Sequence, residues 1–78
     1  MTTFDRLKKV FEAVFEDEVD SSVITESANL RDEVGINSIG MLYMAMALEE
    51  EFGIKFLNSD FEGIVTVRDV IDRIEAKL

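Results

Sequence analysis

Apolar residues recur at helical spacing in three long segments of this chain, residues 3–15, Ser38–Phe52 and Val67–Lys77. Each segment places apolar side chains three or four positions apart, which is the period of one helix face. Polar and apolar residues alternate nowhere for long enough to indicate a strand. The pattern therefore predicts an all-α fold. The first stripe comprises Phe4, Leu7, Phe11, Val14 and Phe15, and the last comprises Val67, Val70, Ile71, Ile74 and Leu78.

Polar residues and one glycine mark the ends of these helices. Thr2, or the threonine after it, can cap the first helix, and Thr66 with Asp69 resembles a capping box at the start of the last. Gly53 follows the middle helix at a position that favours a left-handed C-cap. A weaker signal predicts a short helix over residues 58–63. We therefore expect a small four-helix bundle with three long helices and one short helix.

A long polar loop is predicted between the first and middle helices, over residues 17–37. Loops of this length in compact domains are usually functional or locally structured. A short helical turn is predicted over residues 29–33. The apolar residues expected to anchor the loop on the core are Val19, Val23, Ile24 and Leu30.

The middle helix carries two apolar faces, whereas a helix in a small bundle needs only one face buried. Either this helix lies at the centre of the bundle, or its second face is exposed for a partner. The partner interpretation is favoured, because a contiguous apolar patch marks an interaction site. One face comprises Met41, Met44, Ala45, Leu48 and Phe52, and the other comprises Ile39, Leu42, Tyr43 and Met46.

Ser38 lies at the start of the middle helix, where two interpretations compete. The ordinary one is an N-cap, with the hydroxyl accepting a first-turn N–H. The functional interpretation is that Ser38 is an attachment point for a phosphate group, which the positive end of the helix dipole favours. Glu49, Glu50 and Glu51 lie at the other end, where the helix dipole is negative. Each of these charges should destabilise the helix by about 0.3–1 kcal/mol. Lys55 offsets this in part, and the run serves either solubility or the docking of basic partners.

Composition narrows the class of protein. The 78 residues predict one domain, 1–78, and the net charge of −9 argues against binding nucleic acid or anionic membranes. The absence of Cys and His excludes Cys/His metal sites and catalytic triads. No apolar run could span a bilayer and no signal peptide is recognisable. We expect a cytoplasmic, monomeric protein with no metal site and no catalytic residues.

The segment VGINSIGMLYMAMALEEEFGIKF, residues 34–56, resembles the acyl carrier proteins. The signature of that family is Gly-x-Asp-Ser-Leu, followed by an apolar helix and Ala-Leu-Glu-Glu-Glu-Phe. Gly35, Ser38 and residues 46–52 match this pattern. The resemblance extends over essentially the whole chain, through its acidity, its helix order and the final helix opened by TVRDVID.

The resemblance implies that Ser38 carries a 4′-phosphopantetheine arm, donated by coenzyme A through a phosphopantetheinyl transferase. Acyl intermediates would be carried on this arm as thioesters, and the protein itself would not be an enzyme. Acyl-transferring and acyl-modifying enzymes with basic or apolar docking patches would be its partners. The residues expected to contact them are Asn37, Ile39, Leu42, Tyr43, Met46, Glu49 and Glu50. The acyl chain is expected in a void among Phe4, Leu7, Ala45, Leu48, Ile64 and Ile74.

The chain also departs from the family pattern. Asn37 replaces the usual Asp, Ile39 replaces Leu, and Gly40 and Tyr43 stand where relatives often carry acidic residues. We therefore predict poor recognition by the standard fatty-acid enzymes and a dedicated partner set in a specialised fatty-acid or polyketide-type pathway. Two alternatives stay open, a peptidyl or aminoacyl carrier and an unmodified interaction module in which Ser38 is only a cap.

Overall fold

Three α-helices carry the fold in the computed structural model, which describes residues 2–15 and 21–78. They are α1 (Thr3–Val14), α2 (Ser38–Phe52) and α3 (Val67–Lys77), with 3₁₀ turns at Ser21–Val23 and Asn58–Phe61. The described residues contain no strand, so the all-α prediction is confirmed. The predicted short helix over residues 58–63 is the second 3₁₀ turn, and the described part has three α-helices rather than four. No helix in that part is long and apolar enough to cross a membrane.

The helix ends follow the predicted capping chemistry. The Thr2 hydroxyl accepts the Asp5 N–H at 3.1 Å, and the Asp5 carboxylate accepts the Thr2 N–H at 3.2 Å. Thr66 and Asp69 make the same reciprocal pair at the start of α3. The Thr66 and Val65 N–H groups donate to the Asp69 carboxylate and lower its pKa. These boxes fix where α1 and α3 begin.

The end of α2 is set by Gly53, which adopts φ 66°. This left-handed conformation is readily available only to glycine, and it lets two N–H groups fold back onto one carbonyl. Gly53 and Ile54 both donate to the Glu49 carbonyl, at 2.8 and 3.2 Å. The predicted C-cap is therefore confirmed.

All three helices contribute fully buried side chains to one apolar core. Leu7 and Phe11 come from α1, Leu48 from α2 and Ile74 from α3. Of the six residues expected to line an acyl void, three lie fully buried in this core, and Ile64 alone borders the cleft beside Ser38 described below. The three are Leu7, Leu48 and Ile74. Burial is what both a filled core and the lining of a void would show, so the location of the void stays a prediction.

The loop ahead of α2 is anchored by buried side chains and by hydrogen bonds to the start of α3. Ile24 and Leu30 are buried as predicted, whereas Val23 is exposed and Val19 lies outside the described residues. The Leu30 N–H donates to the Val65 carbonyl at 2.9 Å, and the Ile36 N–H donates to the Leu30 carbonyl at 2.8 Å. Ala28, Val34 and Ile36 are further buried anchors. The loop therefore reaches α2 along a fixed path.

A turn over residues 29–33 forms as predicted, organised by one side chain. The Asn29 side-chain oxygen accepts the N–H groups of Arg31 and Asp32, both at 2.9 Å. The Glu33 carboxylate accepts the Asn29 N–H at 3.2 Å. This Asx-type turn is the local structure that Asn favours, and it places the loop beside the start of α2.

Candidate functional site

Ser38 is the first residue of α2, and Asn37 is the residue that caps the helix. Asn37 has extended backbone, and its side-chain oxygen accepts the Gly40 N–H at 2.7 Å. The interpretation of Ser38 as the N-cap is therefore wrong. Asn is as good a cap as Ser, and the residue one position earlier takes that role here.

The side chain of Ser38 is exposed. No group in residues 2–15 and 21–78 forms a hydrogen bond with its hydroxyl. The hydroxyl stands in the first turn of a 15-residue helix, where the aligned peptide dipoles give partial positive charge. A free hydroxyl in this position can be esterified by a phosphate without loss of any interaction that supports the fold.

A cleft of about 430 Å³ opens beside Ser38. It lies between the first half of α2, the loop at residues 29–32 and the segment around Phe61. Apolar side chains make much of its wall, and Arg31 and Asp32 stand at its edge. The lining residues are Asn29, Leu30, Arg31, Asp32, Ser38, Met41, Leu42, Phe61, Ile64 and Val65.

Asp60 fixes the 3₁₀ turn that carries Phe61. It is buried, and its carboxylate accepts the Leu57 N–H at 2.6 Å and lies 2.9 Å from the Lys77 ammonium. The Leu57 N–H, followed by Lys77, lowers the pKa of Asp60 below its ordinary value of 3.8. The carboxylate thus stays charged at neutral pH and fastens this wall of the cleft to the end of α3.

The second apolar face of α2 is exposed. Met44 and Leu48 are buried, whereas Tyr43 is 60% exposed and Met46 is 65% exposed. Helix α2 is therefore not surrounded by the bundle, and the first of the two interpretations of its faces is wrong. Ile39 and Leu42 are also more than half exposed, so the apolar side chains form a continuous strip that begins next to Ser38.

A second cleft, of about 380 Å³, lies on the other side of α2 where the end of α1 meets it. Gly40 is buried between these helices. A Cβ atom added there would lie 3.0 Å from Ile36 Cγ2 and 3.4 Å from Phe15 Cε1. Glycine at this position is therefore explained mainly by Ile36 and by the Asn37 side-chain oxygen, which would lie 3.3 Å away, with Phe15 at van der Waals distance. The cleft is lined by Val14, Phe15, Asn37, Ile39, Gly40 and Tyr43.

The glutamates at the end of α2 have partners that the sequence did not reveal. Arg6 of α1 pairs with the Glu51 carboxylate at 3.0 Å, donates to the Glu51 carbonyl at 2.8 Å, and lies over the Phe52 ring. The Glu49 carboxylate accepts the Phe56 N–H at 2.7 Å. Among Glu49, Glu50 and Glu51, Glu50 is left as an exposed charge with no partner in the described residues. Arg6, rather than Lys55, is the cation at this end.

Comparison with known proteins agrees with this geometry. Residues 5–74 match the family model described as "Phosphopantetheine attachment site". An acyl carrier protein of Thermotoga maritima is 43% identical over 60 residues, which cover 77% of this chain and 74% of that protein. The acyl carrier protein of Syntrophobacter fumaroxidans is 41% identical over 54 residues, 69% of this chain and 67% of the relative. The acyl carrier protein of Campylobacter lari is 35% identical over 75 residues, which cover 96% of this chain and 95% of that protein.

The match over residues 5–74 makes this a phosphopantetheine-binding carrier domain. The chain belongs to the acyl carrier protein family. Its cofactor is covalently bound 4′-phosphopantetheine, and it is a carrier and not an enzyme, as predicted. Membership also implies interaction with a phosphopantetheinyl transferase and with acyl-handling enzymes.

Proposed function

We propose that this protein carries acyl groups as thioesters on a 4′-phosphopantetheine arm attached to Ser38. The exposed hydroxyl, released from capping by Asn37, is the observation that carries the proposal. When bound, the group supplies a terminal thiol, which a chain without cysteine lacks. Transfer from coenzyme A forms the bond between Ser38 Oγ and phosphorus and releases adenosine 3′,5′-bisphosphate, while the hydroxyl proton passes to a base of the transferase.

The surroundings of Ser38 suit the chemistry of the 4′-phosphopantetheine arm. The helix start favours the negative phosphodiester, and the adjacent cleft offers apolar wall from Met41, Leu42 and Phe61. The same wall suits an acyl chain better than a polar aminoacyl group. This supports acyl cargo, and it offers the cleft beside Ser38 as a second candidate shelter besides the void expected in the helix core.

The first turns of α2 support service in a specialised fatty-acid or polyketide-type pathway. Asn37, Gly40 and Tyr43 are uncharged where relatives often carry acidic residues. Enzymes that recognise those acids through basic patches would gain little at this surface, because charge complementarity sets encounter rate and specificity. We therefore expect poor turnover with standard fatty-acid enzymes and better turnover with a dedicated set.

Intact-mass measurement tests the attachment site. The protein is incubated with coenzyme A, Mg²⁺ and a broad-specificity phosphopantetheinyl transferase. We expect wild type to gain one phosphopantetheine group and Ser38→Ala to gain none. Ser59→Ala is the matched control, because Ser59 is also exposed and also lies in a helical turn.

Two outcomes would overturn the proposal. An increment that survives in Ser38→Ala would move the attachment elsewhere. No increment on wild type with several transferases would favour the unmodified interaction module.

A further inference from the structure

Arg31 stands at the edge of the cleft beside Ser38, and the fold fixes the backbone that carries it. The Asn29 side-chain oxygen accepts the Arg31 N–H at 2.9 Å. The neighbouring Leu30 is buried, and its N–H donates to the Val65 carbonyl at 2.9 Å. The turn therefore holds the Arg31 backbone against the segment before α3, while its exposed side chain and Ser38 line one cleft.

The location of Arg31 differs from that of the other three arginines. Each of those pairs with a carboxylate of the fold, at N–O distances of 3.0 to 3.8 Å, and so ties two elements or two turns together. Arg31 lines an opening of about 430 Å³ instead. Ligand clefts have volumes of roughly 300–1,000 Å³, so this one is small and its lining residues face the same bound group. The other three are Arg6, Arg68 and Arg73.

The group that we propose on Ser38 brings a negative charge into this cleft. Its phosphodiester is bonded to the Ser38 Oγ and stays at the cleft, whereas the rest of the arm can move. The net charge of −9 opposes that phosphodiester, and Asp32 stands at the same edge. Among the described residues that line the cleft, Arg31 is the one cation. A guanidinium presents planar N–H donors that match phosphate oxygens and form strong, charge-assisted hydrogen bonds.

From these observations we infer that Arg31 is a positioning residue for the arm. Its guanidinium pairs with the phosphodiester on Ser38 and directs the arm along the apolar wall of the cleft, which Met41, Leu42 and Phe61 provide. The inference rests on Ser38 being the attachment site. An arm held in this way exposes its terminal thiol to solvent less than an arm that swings freely. The contact therefore makes the reactivity of the thiol depend on a residue seven positions before the serine.

The experiment compares the loaded forms of wild type, Arg31→Gln and Lys55→Gln. Loading with coenzyme A, Mg²⁺ and the transferase is first verified by intact mass, so that attachment is scored separately. The ³¹P resonance of the phosphodiester should differ between wild type and Arg31→Gln. Added salt should move the wild-type resonance toward that of Arg31→Gln, because salt screens an exposed ion pair. Lys55→Gln is the matched control, because Lys55 is exposed, does not line the cleft and carries the same charge.

The thiol of the arm gives a second measurement, because the chain has no cysteine. Its rate of alkylation by iodoacetamide, a neutral reagent, should rise about two- to fivefold in Arg31→Gln, as for the loss of one exposed ion pair. Lys55→Gln should keep the wild-type rate. Arg31→Lys should recover part of the protection, because lysine keeps the charge without the planar fork. Asp32→Asn should lower the rate, because it removes a charge that repels the phosphodiester.

The outcomes separate the two proposals. Complete loading at Ser38, with the same ³¹P resonance and alkylation rate in wild type and Arg31→Gln, would overturn the role of Arg31 and leave the attachment standing. So would equal changes in Arg31→Gln and Lys55→Gln, which would show an effect of net charge alone. Arg31 side-chain N–H resonances that stay unchanged on loading would also overturn it, as expected if a carboxylate of the chain already holds the guanidinium. No mass increment on wild type removes both proposals together.

Discussion

The two ends of α2 differ in how firmly the rest of the chain holds them. At the start, the cap is local: Asn37 binds the Gly40 N–H, and the Ser38 hydroxyl is left free. At the end, the ties come from other elements: Arg6 reaches across from α1, and the Glu49 carboxylate binds the Phe56 N–H. The first end leaves its serine free for the modification that we propose, whereas the other end is fixed to the bundle. The two ends of one helix thus differ in the contacts that hold them.

The largest expected effect comes from restoring an acidic residue where α2 packs most closely. Gly40→Asp should destabilise the fold by about 1–3 kcal/mol, because even its Cβ crowds Ile36 and the Asn37 side-chain oxygen. Denaturant unfolding followed by circular dichroism measures this. Tyr43→Glu restores the other family-type acid at an exposed site and should change stability by less than about 0.5 kcal/mol. Equal effects of the two variants would contradict the packing explanation for Gly40.

The second prediction concerns Arg6, the cation that contacts the C-terminal end of α2. Arg6→Met should destabilise the fold by about 1–2 kcal/mol, because it loses the contact with the Phe52 ring and the hydrogen bond to the Glu51 carbonyl. Lys55→Met is the control for charge alone, and its effect should stay within about 0.5 kcal/mol. If both variants lost similar stability in the same unfolding experiment, Arg6 would have no special role.

The free end depends on a single cap. Asn37→Ala should destabilise by about 1 kcal/mol, the usual value for loss of an N-cap side chain. Ser38→Ala should change stability by less than about 0.5 kcal/mol, because the hydroxyl is exposed and supports no cap. Thermal unfolding of the two variants side by side checks this. A larger loss in Ser38→Ala would return the capping role to the serine.

The smallest expected effect is the pH dependence of the stability that Asp60 contributes at the wall of the Ser38 cleft. The Leu57 N–H and Lys77 depress the pKa of Asp60 below 3.8, so its contribution is present above that pH and is lost as pH falls through the depressed value. The difference in stability between wild type and Asp60→Asn should therefore shrink on acidification from pH 5 downward. Denaturant midpoints measured at several pH values test the sign. A difference that is constant or grows toward low pH would contradict it.

Local signals in the sequence located the helices well. The bounds of α2 and α3 are as predicted, and α1 ends one residue early because Phe15 takes the C-cap position. Gly53 and the Thr66–Asp69 pair act within one turn of the chain, so the chemistry that sets these ends is visible in the sequence. The 3₁₀ turn at Asn58–Phe61 is too short for a helical period to define.

Contacts between distant residues were not predictable in the same way. Arg6 and Glu51 are 45 positions apart, and nothing in either segment pairs them. The sequence did not decide whether Asn37 or Ser38 caps α2, because both residue types cap helices well. The place of the clefts depends on how the loop packs against α2 and α3. Apolar residues such as Leu7 and Ile74 signal burial, but not whether space is left between them.

Locating the modification within the loaded protein tests the central claim most directly. Trypsin releases residues 32–55 as one peptide, in which Ser38 is the single serine and no threonine occurs. Fragmentation of this peptide after the transferase reaction should place the phosphopantetheine group on Ser38. The account would be contradicted if the group were found on a peptide carrying Ser21, Ser22, Ser27 or Ser59 while the 32–55 peptide remained unmodified.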